Sequence, residues 1–409
     1  MKISTLLQRE PFAKIFEKTL ASFLEDLTKR PHIVKWGANK KFNKVLTTTQ
    51  QWYCNPLINS IFVKGVNLSV FDSINGEYKT NPMKPWRSKF QRFYLFLSQH
   101  RITAPIFSNY QINISPALED SNNKLIIGGN TKIRIIDVSK GKVYVILKNG
   151  FNRNYIDREI YVRENFKYLD IPKIYNKGNN AIWYSEEYIT GLSPNRIDSD
   201  LGNNSLNKVI IGIHKMLFDN KVSQPLFKYL FKLKHRVLSG LKDINYLKFE
   251  HKLYVTEVSK KILNELDKYS STIITTSYCH GDFHQGNILC DGDKNWILDW
   301  ENSGQKQIGY DLLILLLESR IANGFHMRFS KLLNNKFDSF QSDIVNNWPE
   351  LNWKNKDSKK ISLLLFLIEE IDFHVTENNN PLFFNNSNKI IERFNELKKC
   401  FESINLLKN

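Results

Sequence analysis

The sequence predicts an α+β protein in two lobes, an antiparallel-sheet small lobe followed by a mainly helical large lobe, behind a basic N-terminal extension. Three observations lead there. Strand-like runs at 124–127, 132–138 and 142–148 are joined by Gly128-Gly129-Asn130 and Ser139-Lys140-Gly141, both good turn signals. One helical pattern, 154–165, and two further strands, 171–175 and 181–189, follow. Beyond Gly191-Leu192-Ser193-Pro194 the apolar spacing becomes mainly helical. The expected boundaries are 1–120 for the extension, 121–192 for the small lobe and 193–409 for the large one.

Along the chain, residues 11–30 read as an amphipathic helix opened by Pro11, a residue suited to the first helical position. Phe12, Ile15, Phe16, Leu20, Phe23, Leu24 and Leu27 make one stripe at helical spacing. From Pro31 to about Pro116 the pattern is mixed, with basic-aromatic stretches at Lys84-Pro85-Trp86-Arg87 and Arg92-Phe93-Tyr94. Such stretches could stack bases or grip a glycan, or serve as the solvated face of a packed domain. Pro116-Ala-Leu-Glu-Asp-Ser-Asn-Asn123 marks a boundary. Toward the C-terminus, 361–375 and 389–405 read as helices of the large lobe.

The chain has 409 residues, 42% of them hydrophobic and 24% charged, which excludes disorder as a whole-chain description. The longest apolar runs, 312–317 and 363–368, fall far short of the ~20 residues of a membrane span. Gln8, Arg9 and Glu10 interrupt the N-terminus, so no signal peptide is read there, and a soluble, cytoplasmic protein is expected. Cys54, Cys279, Cys290 and Cys400 show neither zinc-site nor disulfide spacing and fit that compartment, and Cys279 and Cys290, inside apolar strand-like runs, read as reduced, buried thiols. The net charge is +17, and residues 1–120 hold 17 Lys and Arg against 8 Asp and Glu. The bias favours anionic partners: a nucleotide, an acidic glycan, an acidic membrane surface or nucleic acid. No RNP motif, zinc finger or helix-turn-helix supports the last of these.

The chemistry concentrates in 278–319. A strand enters His280-Gly281-Asp282, and the chain passes through Phe283-His284-Gln285-Gly286-Asn287 into a hairpin, 288–290 with 296–298, that ends at Asp299. Asp282, Asn287 and Asp299 are hard oxygen donors at strand and loop ends, a set suited to Mg²⁺ with phosphate ligands. His280-Gly-Asp-Phe-His-Gln-Gly-Asn287-Ile-Leu, Ile297-Leu-Asp299-Trp-Glu301 and Gly309-Tyr-Asp311-Leu together resemble the aminoglycoside phosphotransferase and choline kinase family. That resemblance implies a protein-kinase-like fold and an ATP- and Mg²⁺-dependent kinase. It casts Asp282 as the base that orients the acceptor hydroxyl, His280 as a support of the catalytic loop, Asn287 and Asp299 as magnesium ligands, and Asp311 as a steadying residue. Gln285 departs from the family, many members of which have proline there.

Upstream, Lys148 closes the third strand, where a lysine would reach the ATP phosphates, and Glu159 on the next helix could pair with it, with Glu164 as the rival. Gly128 and Gly129 could set backbone N–H groups over the phosphates or form a simple hairpin turn. Glu186-Glu187-Tyr188-Ile189 falls where the family binds adenine, which singles out Glu187 and Tyr188. His284 reads as a hydrogen-bonded structural histidine that could also contact the acceptor. No Walker A pattern, zinc constellation or GxSxG motif occurs.

The acceptor is expected to be a small-molecule hydroxyl. Glu369-Glu370-Ile371-Asp372 could hold a cationic one, as in aminoglycoside or amino-alcohol kinases, although an exposed acidic helix face is the plainer reading. The positive charge, with Trp36, Trp52 and Trp86, leans instead to a sugar or polyol in surface polysaccharide metabolism, with peripheral membrane contact through the extension. A pseudokinase scaffold whose extension binds an anionic partner is the alternative outside the enzyme class.

Overall fold

The computed structural model describes all residues except 39–48, 80–84, 293, 322, 337–338, 347, 350–352, 386 and 407–409. Lys84 therefore lies outside the described residues. The chain divides into two compact units, Met1–Val209 with Ile288–Glu301, and Ile210–Asn287 with Asn302–Asn409.

The first unit opens with helices α1 (Ile3–Arg9) and α2 (Phe12–Thr28), followed by strands β1 (Ile33–Ala38), β2 (Gln50–Asn55) and β3 (Ser60–Val63). Helices α3 (Asp72–Lys79), α4 (Pro85–Gln99) and α5 (Ala104–Phe107) precede β4 (Tyr110–Ser115). Then come β5 (Lys124–Gly128), β6 (Lys132–Asp137), β7 (Lys142–Leu147), α6 (Asn154–Asn165), β8 (Ile174–Lys177) and β9 (Trp183–Glu187). These nine strands form one sheet in the order β1-β4-β2-β3-β5-β6-β7-β9-β8. Its pairs are antiparallel, as expected from the glycine-containing turns.

The division expected at residue 120 has no counterpart in this sheet. Ile61 of β3 pairs with Ile126 of β5, so the extension's four strands continue into the sheet that follows. The extension also lends its helices to the later strands. Phe23 of α2 packs on Tyr144 and Trp183 at ring-centroid distances of 5.5 and 5.2 Å. Adjacent residues Leu125 and Ile126 are both fully buried, which requires cover on both faces of β5. A segment that reads as separate in composition is thus held by contacts that sequence spacing cannot display, a long-range strand pair and the packing of α2 on later strands.

The α2 stripe is buried at Phe12, Ile15, Phe16, Leu20, Phe23 and Leu24, whereas Leu27 is exposed in the last turn. Two of the tryptophans assigned to a glycan surface are packing residues. Trp52 is fully buried, and Trp36 stacks edge-on against Phe12 and Phe16. All four cysteines are free and buried.

Helix α7 (Ser199–Asp219) leads into the second unit, which holds β10 (Val222–Pro225), α8 (Leu226–Asp243), α9 (Phe249–Asp267) and β11 (Ile273–Cys279). The hairpin of β12 (Ile288–Cys290) and β13 (Asn295–Ile297) returns to the first unit, bridged there to Leu192. The second unit resumes with β14 (Gly304–Gln307), α10 (Tyr310–Leu316), α11 (Phe325–Leu333), α12 (Ser339–Asn346), α13 (Lys356–Asn378) and α14 (Ser387–Leu406). Apart from the short sheet β10-β11-β14 this unit is helical. An antiparallel-sheet unit and a mainly helical unit are the α+β class that the sequence predicts.

Helix α13 runs through the second unit's core, with Leu363 to Ile368 all at most 2% exposed. Glu369 and Glu370 are fully buried, and Asp372 nearly so, which overturns their reading as an exposed acidic face. Each has partners: Glu370 pairs with Arg320 and Arg393, both at 2.8 Å, and Asp372 with Arg236 at 2.9 Å. Glu369 accepts from the Tyr229 hydroxyl and, at 2.8 Å, from the Gln307 amide. All of this falls on one oxygen; Oε2 of Glu369 has no hydrogen-bond partner among the described residues.

Burial raises the pKa of Glu369 to about 7, with Lys306 and the Tyr229 hydroxyl offsetting only part of the effect. The folded chain then holds this proton to higher pH than the unfolded chain does. Its favourable contribution is complete below the ordinary carboxyl range and declines as pH rises toward 7. Glu369→Gln, which fixes the neutral form, is expected to flatten that decline. It should raise unfolding free energy at pH 8 relative to pH 5 by on the order of 2–3 kcal/mol, measured by urea denaturation at the two pH values. A variant with an unaltered pH slope would remove Glu369 as its source.

Candidate active site

In the second unit the chemistry sits on the turn that leaves β11. The backbone N–H groups of His280 and Gly281 donate to the two oxygens of Asp311, at 2.6 and 2.9 Å. Asp311 is fully buried and begins α10, so a helix end anchors the turn. Gly281 has φ +83°, and a Cβ there would come within 2.0 Å of the Asn302 carbonyl. Only glycine fits. Nδ1 of His280 accepts from the Asp282 N–H at 3.2 Å, which makes the buried His280 a positioning residue. Asn287 donates through Nδ2 to the Asp282 carbonyl at 2.9 Å and so holds the far end of the loop. His284 accepts from the Gly286 N–H at 3.1 Å, the structural part of its expected role.

The Asp282 carboxylate is steered by a residue that the sequence reading did not single out. Arg320 donates through Nε to Asp282 and through Nη2 to the Gly281 carbonyl at 3.1 Å. Its other nitrogen reaches Glu370, and its plane lies 3.9 Å from the Phe373 ring centre. Burial disfavours the Arg320 charge, but Glu370 and Asp282 outweigh it and keep this group firmly cationic. Arg320 lies at the end of the apolar 312–317 run, where nothing local distinguishes it from a helix-terminal arginine.

In the first unit the charged centre is Lys132, at the start of β6. It is 2.7 Å from Glu159, 2.8 Å from Asp299 and 3.0 Å from Glu301. Burial works against its charge, and these three carboxylates more than compensate, raising its pKa well above the ordinary lysine value. Glu159 is held down to about 2: its burial is overcome by Lys132 and Arg163. Arg134, two residues along β6 and so on the same strand face, adds a contact to Asp299 at 3.0 Å. Asp299 itself sits at φ +64°, a left-handed conformation that Asp tolerates better than most residues, and this turns the carboxylate out of line with β13. Thr131 donates its hydroxyl to Glu301.

The expected Lys148–Glu159 pair is not formed. Lys148 is buried against Glu10, and Glu164, the rival, binds Lys177. Burial lowers the pKa of Lys148 to about 8, with Glu10 offsetting the effect and Arg9 adding to it. A lysine at a strand end and a glutamate on a helix specify no pairing; the lysine one strand earlier reaches α6 instead. The glycine turn also has another neighbour. A Cβ on Gly128 would meet Ile3 at 2.8 Å, one on Gly129 would meet the Lys132 carbonyl at 2.6 Å, and Arg9 binds the Asn130 carbonyl at 3.1 Å. Close packing beneath α1 accounts for Gly128, and the tight turn back onto the Lys132 backbone accounts for Gly129. The N–H groups of Glu187 and Tyr188 are taken by the Lys173 and Gly141 carbonyls, each at 3.0 Å, so neither donates to an adenine.

A loop that presents a steered aspartate, and a second aspartate gripped by a buried lysine, are parts that phosphoryl transfer uses. Residues 234–351 match the phosphotransferase enzyme family. The matched segment contains Asp282, Asn287, Asp299 and Asp311, and it upholds the resemblance drawn from 278–319 and the kinase class. No curated protein matches the chain at the sequence level. Similar solved structures include a choline/ethanolamine kinase family protein from Mesorhizobium loti, with 15% identity over 78% of this chain and 99% of that one, and a TM-score of 0.45. A choline kinase of Streptococcus pneumoniae is 13% identical over 71% and 92% of the two chains, with a TM-score of 0.42. One from Cryptosporidium parvum is 12% identical over 71% and 88%, with a TM-score of 0.41.

The pairing observed here has a direct test. In double-mutant cycles, Lys148→Met with Glu10→Gln should show a coupling energy of about 1–3 kcal/mol, and Lys148→Met with Glu159→Gln one within about 0.5 kcal/mol. A strong Lys148–Glu159 coupling would contradict the arrangement. Separately, Gly281→Ala should destabilise the fold by about 2–4 kcal/mol in denaturant titrations, because it adds a clash to an unfavourable φ.

Proposed function

We propose that this chain is an ATP- and Mg²⁺-dependent kinase that transfers the γ-phosphoryl group to a hydroxyl of a small molecule, a sugar or polyol of surface polysaccharide metabolism. The observation that carries the reading is Lys132, fully buried yet held cationic beside Asp299 and Glu159. In this reading Lys132 takes the phosphate-neutralising role expected of Lys148. The resemblance of 278–319 supports Asn287 and Asp299 as the magnesium ligands. The amide hydrogens of Asn287 are turned to Asp282, which leaves its carbonyl oxygen as the donor, and both groups are hard oxygen ligands. The metal would neutralise charge on the transferring phosphates.

The chain's own residues do the rest. Asp282, its backbone fixed by His280 and Asn287 and its carboxylate by Arg320, accepts a hydrogen bond from the acceptor hydroxyl and takes its proton late in the transfer. The burial of Glu369, Glu370 and Asp372 supports the acceptor side of the proposal. These carboxylates were the candidates to hold a cationic acceptor, and Arg320, Arg393, Arg236 and Tyr229 already engage them. The net charge of +17 favours a neutral or acidic acceptor in addition.

Calorimetric titration of nucleotide with and without Mg²⁺, joined to a phosphate-transfer assay, tests the reading. Asp282→Asn should lose about 10²–10⁴-fold in turnover while retaining nucleotide binding. Asp299→Asn should lose the magnesium-dependent part of binding. Lys132→Met should weaken nucleotide binding more than Lys148→Met does. Among acceptors, sugars and polyols should outcompete choline and aminoglycosides. Unchanged turnover in Asp282→Asn would sink the catalytic assignment, and preference for a cationic acceptor would sink the substrate class.

A further inference from the structure

Helix α4 turns its apolar side outward. Its inward positions include Leu95, Ser98 and Gln99, the last joined to Asn75 by a hydrogen bond of 2.9 Å. Its outward arc carries Trp86, Phe90, Phe93 and Phe96, which are 58–65% exposed. Steps of four, three and three residues place these rings on one stripe. Lys89 and Arg92 lie on the same exposed arc. Ile102, just before α5, and Ile106, on it, extend the apolar surface at 75% and 62% exposure. Beside them opens a cleft of about 300 Å³ to which Lys64, His100 and Arg101 contribute.

A single exposed phenylalanine needs no explanation, but a continuous stripe of aromatic rings does. Burying polar Ser98 and Gln99 while exposing three phenylalanines and a tryptophan is the reverse of what the fold alone would select. The cations decide what the stripe fits. Aromatic rings interleaved with lysine and arginine on one helix suit the boundary between lipid headgroups and acyl chains, where rings enter the apolar side and cations meet phosphates. The groove of a protein partner would favour the same rings, but the lysine and arginine on α4 itself, with Lys64 and Arg101 at the neighbouring cleft, are complementary to an anionic surface. The net excess of nine positive charges over residues 1–120 gives that attraction its range. No described helix is long and apolar enough to cross a membrane, so the contact lies in the plane of the interface.

We propose that α4 and α5 dock this protein onto the surface of an anionic phospholipid bilayer, with the aromatic stripe inserted and the cleft at Lys64 and Arg101 facing headgroup phosphates. This contact is separate from the proposed kinase chemistry and is read without nucleotide.

The test is flotation of the full chain with phosphatidylcholine vesicles, alone or mixed with phosphatidylglycerol, at low and high salt. Binding is expected to the mixed vesicles only and to weaken with salt. Lys89→Gln and Arg92→Gln should each weaken it about fivefold. Phe90→Ser with Phe93→Ser should weaken it by at least about tenfold while leaving the melting temperature and nucleotide binding of the parent intact. If that pair impairs folding, Trp86→Ser with Phe96→Ser removes the ends of the same stripe. Failure of the parent to float with mixed vesicles would overturn the proposal, as would equal flotation of folded stripe variants. So would a parent dimer in sedimentation that the serine variants dissolve, because the stripe would then serve a second copy of the chain.

Discussion

Burying the ammonium group of Lys132 is the constraint around which the first unit is arranged. A fully buried lysine keeps its charge only where carboxylates surround it, and three converge here from separate parts of the chain. Glu159 comes from α6, and Asp299 and Glu301 from the segment after β13. One cation therefore fixes the position of a helix and of a strand end relative to β6. Removing any one partner leaves a buried charge short of compensation, the costly direction for such clusters. Arg163 extends the same logic outward, joining Glu159 to Glu186 on β9.

The second unit repeats this arrangement around a carboxylate. Glu370 is fully buried on α13 and is held well below the usual carboxylate range; its burial is outweighed by Arg320 and Arg393. Arg320 then spends its remaining donors on Asp282 and the Gly281 carbonyl. The candidate catalytic aspartate is thus tied to the unit's central helix through one guanidinium, whose rigid planar fork holds its acceptors in a fixed mutual geometry. The His280-Gly281-Asp282 turn is fixed from the opposite side by Asp311, so both flanks of the loop are set before any ligand arrives.

The N-terminal third has two characters. Toward the sheet it is structural: it supplies four strands, buries Trp52 and gives Lys148 the partner Glu10. Toward solvent it presents α4 with an aromatic arc and a basic fringe. Composition alone merges these, because a buried tryptophan and an exposed one count equally.

What the sequence determined by itself was local. Turn glycines placed β5, β6 and β7 within a residue or so, and local apolar patterning placed α2 and α6, because each of these is set by neighbours a few residues away; the loop at His280 was marked by its motif. What only the tertiary structure decided was which distant groups meet. Lys132 and Lys148 are both lysines at strand ends in the same sheet. Register and the packing of α1, not residue type, send one to Glu159 and the other to Glu10. Glu369 to Asp372 read as an exposed acidic face because helical spacing records periodicity and not what covers a helix. Arg320 had no local signature at all. Charge pairing inside a protein is settled by desolvation and geometry in three dimensions, and a linear sequence states neither.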